Sequence, residues 1–248
     1  MTCTTVLGAT GRAGSAILRL LPSTIEVTAA LRKTEDLSRL PELGRPVTGV
    51  VVDIDDPVSL RRAITGADVV VNAVRLRGDI DPAALVDLHE RIVEATRTSA
   101  GSSVPIVTVG GAGALNMPDG TRFWQASSFP RRTLPRGRAH ARLRAHMEAS
   151  PAELPWAYLV PPPDFDPDGP HTGEYHMWPP GADESAFCAQ TISYTDFAEA
   201  VCAAVEERWT GTWLVAAPHD RWGPVAARLT RTVRSWPCRR DDLVRGDG

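Results

Sequence analysis

Near the N-terminus the chain reads VLGATGRAGSAI, which sets Gly8, Gly11 and Gly14 between a short apolar run and an apolar helical stretch. Thr4 to Leu7 is partly β-branched and reads as a strand, and Ser15 to Leu21 reads as a helix packed on a sheet. A strand, a tight glycine turn and a helix in that order open a βαβ unit. In such a turn the first glycine permits the sharp bend, the second lets a pyrophosphate approach backbone, and the third lets helix lie close on strand. The unpaired N–H groups of the helix N-terminus then face the phosphates. Three glycines alone are a weak sign, and the surrounding strand and helix make it much stronger.

The rest of the chain continues the alternation. Glu26 to Leu31, Val47 to Val52, Ala67 to Val71 and Pro105 to Val109 read as strands, with helical stretches at Leu37 to Leu40, Pro57 to Ile64 and Pro82 to Thr98. Asp81 and Pro82 mark a helix start, and Leu85, Leu88, Ile92 and Val93 form its apolar stripe before Gly101. Such alternation predicts a doubly wound α/β fold, a Rossmann-like parallel sheet covered on both faces, with a small loop-rich substrate lobe. Arg138 to Ala149 reads as a helix and WAYLV as the sixth strand. The segment PPPDFDPDGPHTGEYHMWPPGADES is broken by proline and glycine throughout and is expected to hold no regular structure. After it come a helix started by Ser193 or Thr195, a last strand in GTWLVAAP, and a basic surface helix beyond His219. We expect one domain over residues 1–248, with segments of about 111–140 and 161–192 covering a substrate.

Composition narrows the partners. A net charge of −3 and a pI near 6.1 give no global positive field for nucleic acid. Cys3, Cys188, Cys202 and Cys238 are widely separated, with no CxxC pair, and no apolar segment reaches the ~20 residues of a membrane span. The first strand begins almost at Met1, leaving no room for a leader, so a soluble cytoplasmic protein is expected. A homodimer is admitted but not required.

The tip of the second strand bears on the cofactor. An acidic residue there would hold the two hydroxyls of an unphosphorylated ribose. VTAALRKTED supplies Arg32 and Lys33 instead, a planar fork and a point charge suited to a 2′-phosphate, which favours NADP(H) over NAD(H). Asp53 and Ile54 close the third strand, where they would border the adenine, although Asp53 could equally cap the helix begun by Pro57. Asn72 and Ala73 fall at the same edge, and Thr10, Arg12 and Ala13 complete the turn.

With these residues in place, the chain resembles the atypical short-chain dehydrogenase/reductase superfamily, in particular the NmrA-like and biliverdin/flavin-reductase-like NAD(P)-binding proteins. The likeness covers about the first 220 positions through GATGRAG, ALRKTEDL, VVDIDDPVSLRRAITGADVVVNA, VTVGGAGAL, LPWAYLVPP, HTGEY and ISYTDFAEAV. It implies NADP bound across the strand tips and substrate over the nicotinamide. Conventional members carry tyrosine and lysine four residues apart on the helix before the sixth strand. RGRAHARLRAHME has His140 and Arg144 at that separation, or Arg138 and Arg142 if the register slips by two, and no register gives tyrosine and lysine.

Two chemistries stay open. His140 could donate a proton, with Arg144 orienting a carbonyl oxygen or phosphate, or hydride transfer needs no side-chain acid. His171 and Asp166 are further acid or base candidates. Gly110 and Gly111, being small, would leave room for cofactor and substrate, and Phe123, Trp124, Phe129, Tyr175 and Trp178 would wall a flat aromatic substrate or else close a secondary core. No zinc template is matched, so no metal is expected. The expected activity is NADP(H)-dependent oxidation or reduction of a small aromatic, quinone-like or polycyclic molecule. The alternatives are a cofactor-independent dehydratase, isomerase or cyclase, and a non-catalytic NADP-sensing regulator.

Overall fold

The first strand, β1 (Cys3–Leu7), is followed by α1 (Arg12–Leu20) and β2 (Glu26–Leu31), the βαβ opening that the glycine turn predicts. These assignments come from a computed structural model that describes residues 2–149 and 154–218. The chain then runs through β3 (Thr48–Val51), α2 (Pro57–Ile64), β4 (Val69–Asn72), α3 (Ala84–Ser99), β5 (Ile106–Val109), α4 (Leu134–Ala149) and β6 (Trp156–Val160). It ends in β7 (Asp164–Asp166), β8 (His176–Trp178), β9 (Thr191–Ser193), α5 (Tyr194–Glu207) and β10 (Gly211–Ala216). Leu37 to Leu40 is not an α-helix; a 3₁₀ turn covers Thr34–Arg39 instead. The basic segment beyond His219 and Cys238 lie outside the described residues.

Eight strands form one sheet in the order β3-β2-β1-β4-β5-β6-β10-β8. All neighbours are parallel except β8, which runs antiparallel to β10 with Leu214 opposite Trp178. This is a Rossmann-like α/β fold. The proline-rich stretch is therefore not devoid of regular structure. It supplies β8 at the sheet edge, and β7, which pairs in parallel with β9. Edge and two-stranded positions tolerate prolines nearby because few ladder donors are needed there.

Local chemistry fixes the helix starts. Asp56 accepts from the N–H groups of Val58 and Ser59, and Pro57 needs no partner for its nitrogen. Ser193 Oγ accepts from Asp196 N–H to start α5, which ends at Arg208 in the left-handed region. The strands bury both faces: Val69, Val70 and Val71 are all fully buried. One core joins α1 and α5 to the sheet through Ile17, Leu18, Phe197 and Val201. On the opposite face, Leu60, Ile64, Leu88 and Ile92 of α2 and α3 make a second core, and Leu143 and Met147 of α4 belong to a third. Because the central strands run parallel, the loops after β1, β2, β4 and β5 open on one edge of the sheet.

Candidate functional site

At that edge, Gly8 has φ of 79°, and an added Cβ would stand 2.6 Å from Ala73 O. A Cβ on Gly14 would stand 2.2 Å from Gly8 O, so both glycines are demanded by the protein's own packing. Gly11 differs. It is exposed, its N–H donates to Gly8 O at 2.9 Å, and only that carbonyl, 3.1 Å away, crowds its open side. α1 has no side-chain cap, and the N–H groups of Arg12, Ala13 and Gly14 have no carbonyl four residues back to receive them. An uncapped helix start beside an open glycine fits an incoming pyrophosphate. Thr10 is half-buried and Arg12 exposed at the rim.

Arg32 and Lys33 stand exposed at the β2 tip, and neither forms an ion pair with a described residue. The nearby Asp36 is buried and held by Arg39 at 2.9 Å. At the β3 tip, Asp53 Oδ1 accepts from Asp55 N–H at 2.9 Å, and Asp53 does not cap α2, since Asp56 does. Ile54 is half-buried on the α2–α3 core, and its carbonyl accepts from Arg91 Nε. Asn72 is buried, with Oδ1 accepting from Val74 N–H, and Ala73 forms the floor under Gly8.

The second glycine loop, after β5, is filled rather than open. A Cβ on Gly110 would meet Leu159 O at 2.7 Å and the Tyr158 ring at 2.9 Å. One on Gly111 would meet the His140 ring at 2.6 Å, and one on Gly113 would meet Gly137 Cα at 2.4 Å. The expectation that Gly110 and Gly111 leave room for a ligand is thus corrected: His140, Tyr158 and α4 take the space. His140 Nδ1 and Tyr158 Oη lie 2.9 Å apart. Burial, and then the positive charge of Arg136, push the His140 imidazole down to about 4, so it is neutral at neutral pH. Tyr158 is fully buried, and burial drives its hydroxyl well above the usual tyrosine range.

Arg144 does not reach toward a cofactor ribose. It is 1% exposed and its donors are engaged: Nη1 and Nη2 to Glu184 at 2.7 and 2.8 Å, Nε to Glu148 at 2.8 Å, and Nη1 also to Ala114 O. Glu184 Oε1 accepts in addition from Gly181 N–H, and Oε2 from Asn116 N–H. This buried bidentate pair ties α4 to the loops on either side. The role of orienting a carbonyl oxygen or phosphate expected of Arg144 gives way to this anchoring.

Other candidates are dispersed. Phe123 is buried and meets Phe129 edge to face at 5.3 Å, and Trp178 packs likewise on Phe187 at 6.0 Å. Tyr175 is buried on the α1–α5 side beside Trp209. Phe123 and Tyr175 are therefore core residues rather than the exposed faces of a substrate wall. Trp124 lies under Arg138, whose guanidinium carbon is 5.0 Å from its ring. His171 Nε2 pairs with Glu199 on α5 at 3.0 Å, and Asp166 Oδ1 accepts from Asp168 N–H; neither hydrogen-bonds His140. Among the described residues, no group of three or more His, Cys, Asp or Glu side chains is placed to hold a metal ion. No helix among them is long and apolar enough to cross a membrane.

Sequence reasoning missed Tyr158, Glu184, Phe165 and Tyr194, and it singled out no role for Arg136. Phe165 and Tyr194 stack at 3.8 Å with rings 8° apart, where α5 begins. Arg136 sits one turn before His140 on α4. A basic, aromatic run in the sequence was the signal for this region, but the partners lie tens of residues away.

The geometry defines a nucleotide-binding α/β protein, and comparison gives its family. The chain belongs to the NAD(P)H-binding family, whose model matches residues 8–208. A candidate NADH-flavin reductase of Streptococcus pneumoniae is 24% identical, with 88% of this chain and 100% of that one covered and a TM-score of 0.67. A candidate epimerase of Bacteroides thetaiotaomicron is 21% identical over 89% and 99% of the two chains, with a TM-score of 0.72. An oxidoreductase of Lactococcus lactis is 16% identical over 88% and 91%, with a TM-score of 0.67. At these identities the structures share the fold. No curated protein matches the chain.

Proposed function

We propose that this protein is an NADP(H)-dependent oxidoreductase acting on a small aromatic, quinone-like or polycyclic organic substrate. The observation that carries the cofactor choice is the exposed Arg32–Lys33 pair at the β2 tip, free of ion pairs among the described residues, where a preference for NAD(H) would call for an acidic side chain. The nicotinamide cofactor, when bound, supplies the hydride chemistry. The N–H groups of Arg12, Ala13 and Gly14 receive the pyrophosphate at Gly11, and Arg32 and Lys33 receive the 2′-phosphate. Asn72 and Ala73 shape the floor between them. Residues 111–140 and 161–192 cover the substrate within one domain.

In the first of the two registers read from the sequence, His140 takes the place of the conventional family tyrosine. Being uncharged at neutral pH, it offers a hydrogen bond rather than an acidic proton, and Tyr158 Oη holds its Nδ1 so that the ring keeps one orientation. The proton that completes a reduction comes from solvent. One observation favours a second reading, an NADP-sensing protein without turnover: the recess at Gly111 is already filled by His140.

Titration of the protein with NADPH and NADH, followed by nicotinamide fluorescence, tests the proposal. Arg32→Ala is expected to weaken NADPH by ~10–100-fold, the worth of one charge-assisted contact, and to leave NADH unchanged. Failure to bind either nucleotide overturns it. Tight NADPH binding with no oxidation in the presence of quinones, flavins or aromatic ketones selects the sensing reading.

A further inference from the structure

Tyr158 and His140 meet from two different elements, β6 and α4, beside the loop that follows β5. The hydroxyl of the fully buried Tyr158 stands 2.9 Å from His140 Nδ1 and 3.4 Å from the His140 carbonyl oxygen. Two polar neighbours do not compete for it. Thr108, opposite Tyr158 in the sheet register, keeps Oγ1 buried and unpartnered, and Glu148 Oε1 accepts from Arg144 and Thr212. The far edge of the imidazole lies against the β5 loop: a Cβ on Gly111 would stand 2.6 Å from Cδ2 and 3.0 Å from Nε2. Nε2 has no hydrogen-bond partner among the described residues, and both Gly111 and His140 reach solvent in part.

A proton count decides what that edge presents. The neutral imidazole carries one N–H and one bare nitrogen, and the phenol carries one O–H. Either the hydroxyl donates to Nδ1 and the ring proton sits on Nε2, or Nδ1–H donates to Oη and the hydroxyl turns to the carbonyl. The first arrangement gives the hydroxyl proton an acceptor at 2.9 Å, the second one at 3.4 Å, the outer limit of a hydrogen bond. That carbonyl also lies within α4, where the helix ladder already uses it. A buried O–H without a good acceptor is costly, so the first arrangement wins. Resting on the oxidoreductase reading above, we propose that Tyr158 is a positioning residue that fixes the Nε2–H form of His140, so that the site selects a substrate with an acceptor oxygen, a ketone or quinone carbonyl. The opposite form would present a lone pair and suit a hydroxyl instead. Reduction of such a carbonyl adds hydride from the nicotinamide to carbon and a solvent proton to oxygen. Nε2–H bonds the oxygen as its negative charge grows and keeps its own proton.

Nitrogen NMR of the full chain with isotope-labelled histidine reads the proton's place directly, and the signals lost in His140→Phe identify His140 among the six histidines. At neutral pH we expect a protonated Nε2 and a bare Nδ1. Tyr158→Phe keeps the ring and removes the hydroxyl, and both signals should then move toward the average of the two forms. A protonated Nδ1 or an even mixture in the unaltered protein overturns the proposal, and this spectrum decides the matter even if Tyr158→Phe does not fold. So does a spectrum that Tyr158→Phe leaves unchanged. The acceptor preference is read with fluorenone against fluorene, which lacks the oxygen, in the presence of NADP+ so that no turnover follows. Fluorenone is expected to bind about 10-fold more tightly and to shift the Nε2 signal, with the preference lost in His140→Phe. Equal binding of the two, or none of either, overturns the substrate selection. Because the tautomer is read without cofactor, a chain that binds no NADPH but shows Nε2–H would defeat the oxidoreductase reading and leave the role of Tyr158 standing.

Discussion

The loops after β1 and β5 are both built on glycine and open on the same edge of the sheet, yet they spend the missing side chains differently. After β1, Gly8 and Gly14 are consumed by backbone packing, but Gly11 keeps an open side in front of an uncapped helix. After β5, Gly110, Gly111 and Gly113 are each filled by the protein itself, through Tyr158, His140 and Gly137. A glycine run after a parallel strand therefore has two physical uses, approach of a ligand or approach of a neighbouring element. Only the surrounding structure tells which applies. Here the first loop keeps the open side that a nucleotide would need, and the second seats a helix and aims a histidine.

The sharpest way to break this contrast is to remove what clamps the second loop. Glu184→Gln leaves the buried Arg144 with only the partly exposed Glu148 as a charged partner, and breaking a buried pair costs up to about 3–5 kcal/mol. Urea unfolding should show that loss, whereas Arg32→Ala at the first site should move stability by less than about 0.5 kcal/mol. An unchanged urea midpoint for Glu184→Gln would mean that the Arg144 network does not hold α4.

Alanine at single glycines sharpens the comparison further. Gly113→Ala forces a Cβ to 2.4 Å from Gly137 Cα, a backbone contact that cannot swing away. It should cost about 3 kcal/mol, the upper end for overpacking, in thermal or urea unfolding. Gly11→Ala meets only Gly8 O at 3.1 Å and has φ of −78°, which alanine accepts. Its stability should fall by under about 1 kcal/mol, while NADPH affinity drops at least ~10-fold as the methyl group obstructs the phosphate's approach. NADPH binding unaffected by Gly11→Ala would remove the distinction between the loops.

The same contrast explains what the sequence disclosed. Glu26–Leu31, Pro57–Ile64 and Trp156–Val160 form the elements their residues predict, because β-branching, a proline at the first helical position and apolar patterning act within a few residues. The strand–turn–helix around the glycines was legible for the same reason: its three parts are contiguous. β8 was not, because His176–Trp178 is a strand only through its pairing with β10, some forty residues on. Arg144 was misread as a ligand group since Glu184 is 40 positions away. Charges whose meaning depends on a distant partner carry no local signature, and His140 could be placed on its helix but not against Gly111.

The smallest effect separates the loops by pH. No histidine packs on the first loop, while the second meets the half-buried His140 of α4, whose folded-state value is pushed down to about 4 from the ordinary histidine range near 6.5. The unfolded chain takes up this proton as pH falls through 6.5, but the folded chain does not until about 4, so stability is complete above 6.5 and declines across that window. At pH 5 the loss from His140 is on the order of 2 kcal/mol. His89, buried on α3 and also pushed down to about 4, adds a decline of the same sign. His140→Phe keeps a ring over Gly111 and removes one of the two titrations, so the drop in unfolding free energy between pH 7 and pH 5 should shrink by about half of the histidine contribution. A pH slope identical in the variant and the unaltered protein would show that the imidazole over Gly111 is solvated and free to charge, and the second loop would then be as open as the first.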